Sequence, residues 1–171
     1  MKKTMLFLLA TILLWSCKSE SRYTTASAEI EQVKALLKDY ETGNWEAWKG
    51  HYADTAKIYH NSTKSSSVAD VSKVLASNLE DMSAYGFQDK DQFFEMVVDD
   101  EGDKWVNFWG TWDGTIAENK QTLEIPVHIT AQFANGKIVE EHAFYNMSEL
   151  AMAMMALEEA KEKESMEDSE E

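Results

Sequence analysis

Apolar residues recur at Ile30, Val33, Leu36, Leu37 and Tyr40, the spacing of one helix face, and Gly43 follows as a stop signal. A short second helix is expected over 45–52, and a short strand over 56–60. Ser65, Ser66 and Ser67 then offer N-caps for a third helix with the stripe Val71, Val74, Leu75, Leu79 and Met82. From residue 91 the apolar period changes to two, and four strands are expected over 92–99, 104–115, 122–133 and 137–146. Glu101-Gly102-Asp103, Glu118-Asn119-Lys120 and Asn135-Gly136 separate them. Asn-Gly is a strong hairpin signal, because both residues accept positive φ angles. Ser148 caps a closing helix from 149 to about 163. Helices first, then strands, then a helix is an α+β order, with helices packed on one face of a curved antiparallel sheet.

The two ends read differently. Lys2 and Lys3 precede an apolar stretch from Met5 to Trp15, too short to span a bilayer of about 30 Å. Leu14-Trp15-Ser16-Cys17 follows, and Cys17 is the single cysteine of the chain. This string resembles the bacterial lipobox, whose cysteine is lipidated and becomes the new N-terminus. The domain expectation is therefore a signal peptide over 1–16, lipidated Cys17 and a tether over 17–28, a folded domain over 29–157, and an acidic tail over 158–171. That tail holds eight acids and two lysines. The location this implies is the bacterial cell envelope, on the outer membrane or the periplasmic face, with the membrane as a partner through Cys17.

Composition narrows the class. The 171 residues carry 31 Asp+Glu against 16 Lys+Arg, a formal charge of −15, which argues against a nucleic-acid partner. At 44% hydrophobic, with six Trp, the chain is too apolar to be an acidic disordered protein. One cysteine forms no internal disulfide and no Cys-rich zinc site. No glycine-rich phosphate loop and no HExxH motif is present, so neither a cofactor nor a metal is expected.

The string Phe133-Ala134-Asn135-Gly136-Lys137-Ile138-Val139-Glu140-Glu141-His142, with Asn146 after it, resembles the SnoaL-like branch of the nuclear-transport-factor-2-like superfamily. Tyr52-Ala53-Asp54, Trp109-Gly110-Thr111 and Ile125-Pro126-Val127-His128 are similar to it too. The resemblance implies a cone-shaped curved sheet around helices, with one deep apolar pocket. Its members include polyketide cyclases, ketosteroid isomerase and scytalone dehydratase, alongside domains without catalysis.

Strict alternation in the last strand puts Ile138, Glu140, His142, Phe144 and Asn146 on one face, and Val139, Glu141, Ala143 and Tyr145 on the other. By resemblance the His142 and Asn146 face lines the pocket. His128 and His142 are the candidate catalytic residues, because imidazole titrates near neutral pH. Tyr59, His60, Trp109, Trp112 and Asn146 are the candidate ligand contacts. Trp105 and Trp109 share one face and Trp112 the other, so one set is expected in the pocket and the other at a dimer contact or over the helices. Asn146 stands where the family often has a basic aspartate, and an amide takes no proton at neutral pH. Arg22, the one arginine, lies in the tether, which excludes an Asp-Arg-Asp mechanism. The functional expectation is an envelope lipoprotein whose domain binds a small apolar molecule, with cofactor-free isomerase, cyclase or dehydratase chemistry. The alternative is a non-catalytic assembly module that forms a homodimer through its sheet.

Overall fold

The computed structural model describes residues 21–168; the signal segment, Cys17 and residues 169–171 lie outside the described part. Three helices come early: α1 (Ala28–Glu41), α2 (Trp45–Gly50) and α3 (Val68–Asn78). Seven strands build one sheet: β1 (Tyr23–Thr24), β2 (Tyr52–His60), β3 (Met82–Phe87), β4 (Phe93–Val98), β5 (Lys104–Ile116), β6 (Thr122–Ala134) and β7 (Lys137–Tyr145). Helix α4 (Ser148–Asp168) closes the chain.

Local signals explain the helix boundaries. The Ser27 side chain accepts from the Ile30 N–H at 3.2 Å, which satisfies one free donor at the start of α1. Gly43 then adopts φ +64°, the left-handed residue that ends a helix. Ser67 caps α3 in the same way, through the Asp70 N–H. The turn between β6 and β7 has φ 51° at Asn135 and 72° at Gly136, as the hairpin signal requires.

The sheet order is β1-β4-β5-β6-β7-β2, with β3 paired to the second half of β5. β4 pairs with the first half of β5, so this long strand serves two neighbours in succession. All pairs are antiparallel except β2 and β7, which run parallel. A parallel neighbour needs a long connection, and the four intervening antiparallel strands provide it. Pro126 pairs with Thr111 of β5, while the pairing of β6 with β7 begins only at Val127. One side of β6 is thus an edge at Pro126, where proline is tolerated.

Ile30, Val33 and Leu36 of α1 pack against Ile58, Val106, Phe108, Ala131 and Ile138 of the sheet. The helices therefore sit on one face. Two differences from the sequence expectation stand out. The sheet takes in Tyr23–Thr24, which pair with Val97 and Met96, so the chain enters the fold before residue 29. Met82 opens a strand rather than closing a helix stripe, because α3 stops at Asn78 and Met82 pairs with Ile116.

Candidate functional site

Helices and sheet do not close on one another completely. Between them lies a cavity of about 110 Å³. Its walls are Leu36, Leu37 and Tyr40 from α1, Trp48 from α2, Phe87 from β3, Trp112 from β5, and Ile125, Val127 and Ile129 from β6. Leu75 and Asn78 of α3, Leu79 just after it, Met147 just before α4 and Leu150 in its first turn border it on another side. Gly114 makes room for one wall. The Trp112 ring lies over it, and a Cβ there would overlap the ring.

One part of this apolar wall is polar. Glu141 of β7 is buried at 2% exposure. Its Oε2 accepts from the Tyr52 hydroxyl at 2.7 Å, and its Oε1 lies 3.0 Å from His60 Nε2. The hydroxyl of Tyr145 lies 3.2 Å from His60 Nδ1. A carboxylate only accepts, so Nε2 carries a hydrogen and donates. In the neutral imidazole Nδ1 is then free to accept from Tyr145. The four side chains form one line, Tyr145 to His60 to Glu141 to Tyr52, which joins the two ends of β2 to β7. The parallel register places His60 beside Ala143, between Glu141 and Tyr145.

Burial and the Glu141 charge both push the Tyr52 phenol well above its ordinary value of 10. The same two causes, burial first, raise Tyr145. Both hydroxyls therefore keep their protons at neutral pH and act as neutral donors. Burial also raises Tyr40; the Trp112 N–H beside it works in the opposite direction, at a geometry short of a hydrogen bond.

Of the residues singled out from sequence, His60 and Trp112 line the cavity. The other five do not. Asn146 is exposed, and its side-chain oxygen accepts from the Ser148 N–H at 3.0 Å, at the start of α4. Tyr59, His142, His128 and Trp109 project from the opposite, outer face of the sheet. The reason for His142 is a bulge. The β6 partners step from Phe133 against Ile138 to Gln132 against Glu140, leaving Val139 as an extra residue. Ile138 stays in the core, parity flips, and Glu141, Ala143 and Tyr145 take the inward side. In β6, the buried Ile125, Ile129, Ala131 and Phe133 hold the inner face and leave His128 outside.

The outer candidates still meet. Phe93, Trp109, His128 and Phe144 are direct partners across four strands. Trp109 and His128 stack at 4.6 Å between centroids, and His128 and Phe144 at 6.1 Å. Tyr59 and His142 stack at 4.6 Å in the adjacent row. His128 Nδ1–H donates to the Phe108 carbonyl at 3.1 Å, and His142 Nε2 lies 2.9 Å from Glu140.

Tyr52, Glu141 and Tyr145 were missed from sequence. The signal for them was a glutamate sharing parity with Ala143 and Tyr145. In β2, His60 likewise continues the apolar parity of Tyr52, Ala56 and Ile58. A lone polar residue in an apolar alternation marks a buried polar group, which is the informative kind.

No family model matches the sequence, and no curated protein matches it. Solved structures do match. A protein of Xanthomonas campestris assigned as a polyketide cyclase is 21% identical, with 70% of this chain and 91% of that chain covered, at TM-score 0.55. A protein of Shewanella denitrificans assigned as a SnoaL-like polyketide cyclase is 12% identical, covers 77% and 99%, and scores 0.59. A protein of Catenulispora acidiphila with a ketosteroid isomerase-like fold, in complex with trimethylamine, is 12% identical, covers 69% and 87%, and scores 0.55. At these identities the likeness is one of fold.

Proposed function

We propose, on the premise of this SnoaL-like and ketosteroid isomerase-like fold, that the domain binds a small, largely apolar molecule and moves a proton on it without a cofactor. Isomerase, cyclase and dehydratase reactions are of this class. The observation that carries the reading is the line from Tyr145 through His60 to Glu141 and Tyr52, set in a cavity that is mostly apolar elsewhere. A nucleophile or proton carrier, a base beside it and a third group orienting the base are the parts that such chemistry uses. In this reading the Tyr145 oxygen takes a proton from the substrate as its own proton passes to His60 Nδ1. Glu141 stabilises the imidazolium formed, and the reverse transfer returns a proton at a second position. That a protein of this fold holds trimethylamine supports a small-molecule site.

The experiment is proton exchange in deuterated water. 2-Tetralone, an apolar ketone with acidic α-protons, is followed by NMR with wild-type protein and with His60→Gln. Faster exchange with wild type than with His60→Gln supports the reading. Equal rates above background remove His60 from it.

The lipobox string ending at Cys17 supports a lipid anchor on the bacterial cell envelope, with the domain on the outer membrane or at the periplasmic face. Mass spectrometry of protein from its own host tests it. An acylated N-terminal Cys17 is expected; an unmodified cysteine contradicts the anchor.

One observation favours a second reading, assembly into a homodimer through the sheet. In the outer row Phe93, Trp109 and Phe144 are 46%, 39% and 51% exposed, and among the described residues no helix covers them. Contiguous exposed apolar surface of this kind marks an interaction site, and a two-fold dimer buries the same patch twice.

A further inference from the structure

The cavity wall holds one buried carboxylate. Glu141 is a carboxylate at 2% exposure, and among the described residues no lysine or arginine lines the cavity with it. Its two hydrogen-bond partners are the Tyr52 phenol, at 2.7 Å, and the His60 imidazole, at 3.0 Å. A buried charge without a counter-charge is costly. The surrounding surface is aromatic. Trp48 and Tyr52 pack at 4.7 Å between ring centroids, and the Tyr145 ring stands edge to face with His60 at 5.8 Å. Tyr40, Phe87 and Trp112 continue the aromatic wall. Ring faces attract a desolvated cation and apolar walls accept alkyl groups, a combination suited to substituted ammonium ions.

From these observations we infer that the molecule taken by the cavity is an alkylammonium compound, its cationic nitrogen placed near Glu141 among Trp48, Tyr52 and Tyr145, and its apolar part against the α1 and β6 walls. This rests on the reading of the cavity as a ligand site, and it names the class of ligand. The carboxylate has acceptor capacity to spare: two of about four lone-pair positions are used, by Tyr52 and His60. A protonated tertiary amine would donate to one of them. A quaternary ammonium would meet the same charge without a hydrogen bond. Anionic molecules are disfavoured by the same field. Burial first, and then the Glu141 charge, raise the Tyr52 and Tyr145 phenols above their ordinary value.

The test compares two probes of one shape. Benzyltrimethylammonium and neopentylbenzene differ by the replacement of the charged nitrogen with carbon. Each competes against N-phenyl-1-naphthylamine, a neutral fluorescent probe, bound to the full chain. An apolar site with no cation recognition prefers the hydrocarbon, because the ammonium loses its hydration on entry. The expected result is the reverse, the ammonium displacing the probe at least about tenfold more tightly, the size of a desolvated cation–π contact with charge pairing. Glu141→Gln is expected to abolish this preference while the hydrocarbon still competes. Probe binding with hydrocarbon preference, or with neither competitor active, overturns the ammonium inference and leaves the cavity as a ligand site. Absence of probe binding overturns both. The wild-type comparison stands without the variant, should Glu141→Gln fail to fold.

Discussion

Tyr52 and Glu141 lie 89 residues apart in the chain and are joined by a 2.7 Å hydrogen bond in the buried wall between β2 and β7. The parallel pairing of these strands makes the contact: Tyr52 opposes Ile138 at one end of the ladder, and His60 opposes Ala143 at the other. Tyr52→Phe keeps the ring against Trp48 and removes the donor. Glu141 then keeps His60 but loses half of its hydrogen bonding. The expected cost is about 1–3 kcal/mol, the range for a charged acceptor that loses a buried partner. Urea unfolding measures it. A variant as stable as wild type would show that the carboxylate finds another donor.

Alkaline pH is expected to weaken the fold. Tyr40, Tyr52 and Tyr145 have phenols raised above the ordinary value of 10, in each case with burial as the largest cause. Between the unfolded and the folded value the native state holds protons that the unfolded state releases. Stability is therefore full below pH 10 and falls as pH rises through the folded values. Absorbance at 295 nm, followed together with circular dichroism, is the check. Of the six tyrosines, these three should ionise only with unfolding; ionisation of all six with the fold intact would contradict their burial.

Much of the fold was legible in the sequence, and the reason is local. Ser27 before Ile30 and Val33, and Asn135-Gly136 between two alternating runs, carry their meaning within a few residues. The site was less legible because it depends on parity over a distance. Val139 sits in a bulge set by the partner strand, and nothing in Ile138-Val139-Glu140-Glu141 announces it. One extra residue moved His142 and Phe144 outward and brought Glu141 and Tyr145 into the cavity. The parallel pairing of β2 with β7, which brings His60 to Glu141, joins segments far apart in the chain, and short-range pattern does not encode it.

Gly114→Ala tests how the cavity wall is built. The added Cβ would overlap the Trp112 ring, which lies flat along β5 on the inner side. The ring must leave its place in a packed wall with Leu79 and Ile125. A loss of about 1–3 kcal/mol is expected, as for overpacked cores, with a red shift of tryptophan emission as the indole gains solvent. Unchanged stability and emission would mean that Trp112 has a second equally good rotamer.

Trp109→Ser tests the outer row. Trp109 lies between Phe93, at 5.6 Å, and His128, at 4.6 Å between centroids. It is more than a third exposed, so its loss costs the monomer little. If the sheet face joins two copies, sedimentation velocity should give a dimer for wild type and a monomer for Trp109→Ser at the same concentration. A wild-type monomer at high concentration would remove the assembly reading and leave the cavity untouched.

The most direct measurement is saturable binding of N-phenyl-1-naphthylamine to the wild-type chain and to Leu75→Trp. Leu75 borders the cavity on α3 and is only half-buried, so a larger ring there narrows the opening without entering the core. The expected result is one probe per wild-type chain at micromolar concentration, on the order of −8 kcal/mol, with affinity reduced about tenfold or more in Leu75→Trp. No saturable binding, or binding that Leu75→Trp leaves unchanged, would show that the space between helices and sheet is not a ligand site.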